Sequence, residues 1–213
     1  MIRDKFLFHV FNLLYTRLAW AYDLVAWIVS AGQWYRWVEA ALSFIEAGPV
    51  LEVGCGRGRL LQPIAELGYS VVGVDWTMQM ARHAGRISQQ PVLRADGRRL
   101  PFPDAYFATL ITTFPAPYIL ERQTQREFAR VIRPGGLWLW VDAPAFEPVV
   151  MTALARFITQ AAYSVQEQSY PFFLAAERNG GLWLVHMERV VIGQTTVAVR
   201  VARRQGAWEE LTT

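Results

Sequence analysis

Three acidic residues are spaced so that their carboxylates could hold a nucleoside. Glu52 lies in an apolar run, Val50–Val53, that is typical of a buried strand, and Asp75 and Asp96 end the next two apolar runs. Because the carboxyl ends of parallel strands meet at one edge of a sheet, we expect these acids around a common crevice. A carboxylate at the second strand end suits the two hydroxyls of a ribose. The spacing therefore predicts a nucleoside pocket.

A glycine-rich turn follows the first of these strands. Gly54, Gly56 and Gly58 alternate with larger residues, which permits a sharp turn that brings the backbone close to a ligand. The turn departs from the dinucleotide fingerprint, because Arg59 stands where that fingerprint has its third glycine. The negative charge of Glu52 would also repel a pyrophosphate. We therefore expect a ligand that carries an amine or a sulfonium, and a nicotinamide cofactor is disfavoured.

Four segments in order resemble the class I S-adenosylmethionine-dependent methyltransferases. They read LEVGCGRGRLL, VVGVDWTMQMA, LRADGRRLPFPDAYF and FARVIRPGGLWLWVDA. Within that family the chain is most similar to the branch with the ubiquinone and menaquinone C-methyltransferases. The similarity is strong over 41–141 and weaker over 15–37. It implies S-adenosylmethionine as the cofactor.

The resemblance also implies a role for individual residues. The Gly54–Gly58 backbone would meet the methionine part, Glu52 would stand behind its amino group, and Tyr22 would approach its carboxylate. Asp75 would bind the ribose, with Trp76 and Met80 beside adenine, Asp96 on its exocyclic amine and the Gly97 amide near a ring nitrogen. The full set of cofactor-binding residues implied in this way is Tyr22, Glu52, Gly54, Cys55, Gly56, Gly58, Asp75, Trp76, Met80, Asp96, Gly97 and Thr113.

Strand and helix patterns alternate from Val50 onward, which predicts an α/β fold with a parallel sheet covered on both faces. Strands are predicted at Val50–Val53, Ser70–Val74, Pro91–Arg94, Phe107–Thr113 and Leu137–Val141, and helices at Arg59–Leu67, Met78–Ser88 and Glu121–Ile132. Further helices are predicted at Phe6–Val29, Trp34–Glu46, Glu147–Ala162 and Pro171–Arg178, and a hairpin at Leu182–Ile192 and Thr195–Ala202. Together with the resemblance, this predicts a three-layer Rossmann-like sheet of seven strands, the last antiparallel, under an N-terminal helical lid.

Length and composition fit one methyltransferase domain spanning the 213 residues. We expect a lid over 1–47, a cofactor-binding half over 48–142, and a helix with the closing strands over 143–213. A single cysteine, Cys55, suits a reducing cytosol, and we interpret it as a small packing residue. The net charge of +3 comes from scattered arginines, so nucleic-acid binding is not expected.

The N-terminal segment bears on substrate and location. Arg17 and Asp23 interrupt its apolar run, which predicts no membrane-spanning helix, and an acid among the first charges argues against a signal peptide. Both faces of Phe6–Val29 are apolar. Such a helix either packs on the sheet as a lid or lies on a membrane surface. We expect a cytoplasmic protein with a hydrophobic small-molecule substrate, and peripheral membrane contact remains open.

No residue stands out as a catalytic base. Where the family often has an acid and histidines, this chain has Ala108, Pro117 and Tyr118. Tyr118 and His9 are the candidate catalytic groups, while His83 is expected to be solvated and His186 to be structural. No metal site is predicted.

These patterns together predict methyl transfer to a hydrophobic small molecule, of the quinone-precursor or prenylated-phenol type. Two alternatives stay open at this point. One is an N-methyltransferase that acts on a phospholipid or another amine. The other, of a different class, is a non-catalytic S-adenosylmethionine-binding partner or regulatory module.

Overall fold

A computed structural model describes residues 32–142, 181–193 and 195–205. The strands are β1 (Val50–Val53), β2 (Val71–Asp75), β3 (Val92–Arg94), β4 (Phe107–Thr113), β5 (Ile132–Val141), β6 (Leu182–Ile192) and β7 (Thr195–Arg204). The α-helices are α1 (Trp34–Val38), α2 (Leu61–Glu66), α3 (Met78–Ser88) and α4 (Arg122–Val131). Two 3-10 helices cover Glu39–Phe44 and Pro117–Leu120.

The seven strands form one sheet in the order β3-β2-β1-β4-β5-β7-β6. The first five strands pair in parallel, whereas β7 pairs antiparallel with both β5 and β6. The chain order reverses direction across the sheet between β1 and β4, which is the place where open α/β sheets bind ligands. The predicted seven-stranded Rossmann-like architecture with an antiparallel last strand is confirmed.

Two apolar cores cover the two faces of the sheet. On one face α1, the first 3-10 helix and α2 pack through Trp37, Ala41 and Ile64. On the other face α4 places Phe128 against Trp138 of β5, with ring centroids 5.2 Å apart. All four residues of β1 are buried, as are the first six of β4, which accounts for their nearly continuous apolar sequence.

Several element boundaries differ from the sequence-based expectation, most of them by one or two residues. The helix predicted over Trp34–Glu46 changes to 3-10 geometry at Glu39, where the Ser43 hydroxyl donates to the Ala40 carbonyl. The helix predicted from Arg59 begins at Leu61. The fifth strand begins at Ile132 because that residue already pairs with Phe107.

The Pro-Gly-Gly turn predicted before the fifth strand lies inside it as a bulge. The pairing jumps from Phe107 opposite Ile132 to Thr109 opposite Leu137. Gly135 has a φ of 78°, and a Cβ on Gly136 would stand 2.7 Å from the Ala108 carbonyl oxygen. The turn therefore needs both glycines, one for its backbone angle and one for close approach.

Several predicted elements lie outside the described residues. These are the helices at Phe6–Val29, Glu147–Ala162 and Pro171–Arg178, and with the first of them most of the predicted lid. Within 32–142, 181–193 and 195–205, every helix is too short or too polar to cross a bilayer.

Candidate functional site

A cavity of about 510 Å³ opens at the carboxyl edge of the sheet, where β1, β2, β3 and β4 end. Its volume lies within the range of roughly 300–1,000 Å³ that is usual for small-molecule sites. Ten of the predicted cofactor residues line it, namely Glu52, Gly54, Cys55, Gly56, Asp75, Trp76, Met80, Asp96, Gly97 and Thr113. The candidate catalytic residue Tyr118 lines it as well.

The glycine turn directs its backbone donors into the protein. The N–H groups of Gly54 and Cys55 both donate to the Val74 carbonyl, at 2.8 and 3.0 Å. The Gly56 N–H donates to Oδ2 of Asp75 at 3.0 Å. A phosphate cradle needs such N–H groups pointed at the ligand. Since these three are engaged, the turn is poorly suited to a pyrophosphate, in agreement with the expectation against a dinucleotide.

Gly58 is the one predicted cofactor residue in the described ranges that does not line the cavity. A Cβ at this position would stand 2.8 Å from the Ala84 Cβ, and its φ is 71°. Its N–H donates to the Cys55 carbonyl at 2.7 Å. We assign Gly58 to the close approach of the turn to α3, since the geometry places it against that helix. Spacing alone does not distinguish this packing role from ligand contact.

Glu52 is a buried carboxylate in the wall of the cavity. Only 2% of the residue is exposed, and its Oε2 atom has no hydrogen-bond partner among the described residues. Burial, and then the nearby charge of Asp75, raise the pKa of Glu52 to about 8. A cationic ligand group beside it would offset both effects. The site therefore favours a ligand that carries an ammonium or sulfonium.

Asp75 ends β2 and organises the loop after it. Its Oδ1 accepts from the backbone N–H of Thr77 at 2.8 Å and from the Thr77 hydroxyl at 3.1 Å. Burial raises the pKa of Asp75, and the bonds from Thr77 and Gly56 oppose that change. The Thr77 hydroxyl in turn accepts from the Met80 N–H at 3.3 Å and so caps α3. One carboxylate thus joins the glycine turn, the α3 cap and the cavity.

Cys55 is a packing residue, as the sequence indicated. It is 6% exposed, and its Sγ would lie 3.0 Å from a Cβ added at Gly73 on β2. Burial, together with the charges of Glu52 and Asp75, raises the pKa of the thiol above its usual range. Such a thiol is not a nucleophile at neutral pH.

The residues assigned to adenine also line the cavity. Trp76 is 62% exposed at the rim, whereas Met80 is buried on α3. Oδ1 of Asp96 accepts from the Arg98 N–H at 2.9 Å. Gly97 is closely covered, because a Cβ there would stand 2.8 Å from the Tyr118 ring. The structure brings these four predicted residues together, and their contacts with a purine remain a prediction.

Tyr118 reaches across the cavity from the second 3-10 helix. Its hydroxyl would lie 3.8 Å from a Cβ on Gly54 and 3.2 Å from one on Gly97. Burial and the charges of Asp75 and Asp96 raise the pKa of this phenol. At neutral pH Tyr118 can therefore donate a hydrogen bond, and it is a poor base.

An aromatic wall that the sequence reasoning did not identify closes the side of the cavity near β4. Trp34 and Phe114 pack with ring centroids 4.7 Å apart, and Tyr35 lies under the Arg59 guanidinium at 4.6 Å. These four residues all line the cavity. The sequence carried one usable signal, a dense aromatic run from Trp34 to Trp37 that begins two residues after Gly32.

The histidines divide into three cases. His9, like the predicted cofactor residue Tyr22, lies outside the described residues. His83 was expected to be solvated, and this is wrong in part: it is half-buried and accepts a hydrogen bond from Nε of Arg57 at 2.9 Å. His186 was expected to be structural but is exposed, with its ring 6.4 Å from Phe44. In the described ranges, no group of three or more His, Cys, Asp or Glu side chains could hold a metal ion.

Comparison with known proteins identifies relatives across most of the chain. A methyltransferase-domain family matches residues 50–136. The demethylmenaquinone methyltransferase of Streptomyces griseus is 31% identical over 73% of this chain and 72% of its own. That of Mycobacterium tuberculosis is 29% identical over 78% and 75%. These relatives are enzymes, which favours an enzyme over the non-catalytic binding module.

Solved structures agree on the fold. The geranyl diphosphate C-methyltransferase of Streptomyces coelicolor, a complex with Mg²⁺, geranyl diphosphate and S-adenosylhomocysteine, superposes with a TM-score of 0.58 at 15% identity. The match covers 78% of each chain. Family membership and the buried acid Glu52 both fit S-adenosylmethionine as the cofactor. The chain belongs to the class I S-adenosylmethionine-dependent methyltransferases, near the branch that contains the menaquinone and ubiquinone C-methyltransferases.

Proposed function

We propose that the methyl acceptor is a hydrophobic aromatic small molecule, of the quinone-precursor or prenylated-phenol type. The observation that carries the proposal is the aromatic wall of Trp34 and Phe114, which lines the same cavity as the acidic residues. The relatives named demethylmenaquinone methyltransferase support the same substrate class. A flat apolar ring can pack on this wall, whereas a charged head group would lose its hydration there.

The protein's task in such a reaction is to bind and orient. S-adenosylmethionine supplies a methyl group that is already activated by the positive sulfur. Glu52 and Asp75 offer negative charge to the cofactor's cationic and hydroxyl groups, and Trp34 and Phe114 exclude water from the acceptor side. Holding two reactants in line can supply up to roughly 7–11 kcal/mol of the barrier.

Tyr118 fits a positioning role better than that of a base in this reaction. Its raised pKa keeps the hydroxyl protonated at neutral pH, so it can donate to an oxygen of the acceptor or of the ribose. If the acceptor is a hydroquinone or phenol, its own ionisation would activate the ring carbon. Tyr118→Phe should therefore lower turnover without shifting its pH profile.

The acceptor class can be tested with radiolabelled donor and a bacterial membrane extract that contains demethylated quinones. We expect label in the quinone fraction, and Asp75→Ala protein serves as the matched control. Label in the phospholipid fraction would instead favour the lipid amine alternative. Donor binding with no labelled lipid of either class would contradict the proposal.

A hydrophobic acceptor would reach the enzyme from a membrane. We propose a cytoplasmic protein that contacts the membrane surface peripherally through the helices predicted for its N-terminal segment. Co-sedimentation with anionic and with neutral vesicles tests this, and protein that stays in the supernatant with both would contradict it. Nucleic acid is not part of the proposal.

A further inference from the structure

Arg98 connects the purine end of the cavity to the protein surface. Its Nε and Nη2 donate to the two carboxylate oxygens of Glu121, each at 2.7 Å. Its backbone N–H donates to Oδ1 of Asp96 at 2.9 Å, and its Nη1 approaches the same oxygen at 3.5 Å. Its guanidinium also lies over the Tyr118 ring, 5.3 Å from the centroid. One side chain therefore contacts three groups at once.

These groups occupy different positions relative to the cavity. Arg98, Asp96 and Tyr118 line it, whereas Glu121 lies outside it at the start of α4, with 47% of its side chain exposed. The backbone N–H of Glu121 donates to the Tyr118 carbonyl at 3.0 Å, whereas the Glu121 carboxylate meets the cavity lining through Arg98. Two short, parallel bonds between a guanidinium and a carboxylate also fix the plane of the guanidinium.

The two carboxylates compete for the same cation. Arg98 makes its short side-chain bonds with Glu121 and only a long contact with Asp96. If Glu121 lost its charge, the guanidinium would be free to close on Asp96 and to move off the Tyr118 ring. The Asp96 carboxylate would then be less able to accept from the exocyclic amine of a purine. The Tyr118 ring that covers Gly97 would lose its contact with the guanidinium.

We propose that Glu121 is a positioning residue for the purine half of the donor site, acting through Arg98 on Asp96 and Tyr118. The inference rests on the assignment of the donor's adenine to Asp96 and Gly97. It also makes Glu121 a determinant of purine specificity. With Arg98 held away, Asp96 accepts from a 6-amino group and repels a 6-oxo group, so adenine is selected over hypoxanthine.

Calorimetry on the whole chain tests the proposal with two probes, S-adenosylhomocysteine and 5′-methylthioadenosine, which lacks the aminoacyl part. We expect Glu121→Gln to weaken both probes by a similar factor, about three- to fivefold, as for the loss of a partly exposed ion pair. Glu121→Asp should restore most of the affinity. The Gln variant should raise KM for the donor with kcat nearly unchanged. Its preference for adenosyl over inosyl homocysteine should fall.

Asp104→Asn is the matched control. Asp104 is also an exposed acid paired with an arginine, Arg130 at 2.6 Å, but it does not line the cavity. Its removal should leave both affinities unchanged. In an Arg98→Leu background the effect of Glu121→Gln should disappear, since the coupling runs through Arg98.

Several outcomes would overturn the proposal. The first is a loss of affinity in Glu121→Gln that persists in the Arg98→Leu background. The second is a loss of affinity for S-adenosylhomocysteine alone, and the third is a fall in kcat with KM unchanged. Equal binding by Asp75→Ala and wild type would instead reject the donor site itself. Because the binding assays contain no acceptor, the binding results do not depend on which molecule is methylated, and only the KM and kcat comparison does.

Discussion

Glu52 and Asp142 are both almost fully buried near the carboxyl edge of the sheet, at 2% and 4% exposure. Asp142, which follows β5, accepts from Nε of Arg200 on β7 at 2.7 Å. Glu52, on β1, has no cationic partner among the described residues, and its pKa rises to about 8. The fold compensates one buried acid with its own arginine. The other has no cation beside it in the described ranges, and we propose that a positively charged ligand group compensates it.

The largest expected effect comes from removing the cation of the compensated pair. Arg200→Met should lower the free energy of unfolding by about 3–5 kcal/mol, because Asp142 would stay buried without this partner. The double variant Asp142→Leu, Arg200→Met should recover most of the loss, since it removes both charges. Urea unfolding measures both values. A double variant as unstable as the single one would contradict the explanation.

Removing the charge of the uncompensated acid, Glu52, should raise the stability of the protein. Glu52 has a folded pKa of about 8, above its ordinary value of 4.5, so the native protein loses stability as the pH rises from about 4.5 to 8. Glu52→Gln should remove this loss and stabilise the ligand-free protein by about 3 kcal/mol at pH 7. Thermal unfolding at pH 5, 6, 7 and 8 measures the difference in stability between the wild type and the variant. Glu46→Gln, at an exposed acid, is the control.

Asp75 is compensated to an intermediate degree. It has no cationic partner in the part of the chain that the structure describes, but it accepts hydrogen bonds from the backbone N–H groups of Gly56 in the glycine turn and of Thr77 in the loop after β2. Asp75→Ala should weaken binding of S-adenosylhomocysteine by about 1–3 kcal/mol through the loss of charge-assisted bonds. Calorimetry measures the change, and Asp104→Asn is the comparison variant. Wild-type affinity in Asp75→Ala would remove the basis for the proposed ribose contact.

The smallest effect concerns proton release when the donor binds. A cationic ligand favours the ionised form of Glu52, so donor binding at neutral pH should release a proton. The affinity for the donor should therefore rise with pH, by roughly fivefold per pH unit between about pH 6.0 and 7.5. The release of one proton allows at most about a tenfold change per pH unit. Calorimetry in two buffers of different ionisation enthalpy counts the protons. Glu52→Gln should show neither effect. The same pH dependence in that variant would assign the proton to another group.

Local sequence features predicted much of the fold. The bounds of Val50–Val53, Met78–Ser88, Phe107–Thr113 and Leu182–Ile192 are those of the structure. Apolar periodicity and flanking turn residues are local signals, so they can be recognised without the tertiary fold. The bounds at β5 were missed because pairing with Phe107 continues the strand through a Pro-Gly-Gly bulge. No local signal reports that pairing.

The candidate site also has a part that local sequence features predicted and a part that they did not. The positions of Glu52, Gly54 and Asp75 around one crevice follow from the rule that parallel strands end at a common edge. Gly58 was grouped with them by spacing, yet it lies against Ala84 on α3. The aromatic wall was missed because Trp34 and Phe114 are far apart in the chain and meet only when α1 packs on the sheet.

The sequence by itself determined which residue types end each strand, and its apolar pattern predicted the strand–helix alternation. The resemblance of four segments to a known family implied the donor. Only the tertiary structure decided how each charge is compensated. Arg98 meets Glu121 across 23 positions and Arg200 meets Asp142 across 58, while Glu52 meets no cation in the described ranges. The strength of an electrostatic interaction depends on distance and burial in space, and neither can be read from the order of residues along the chain.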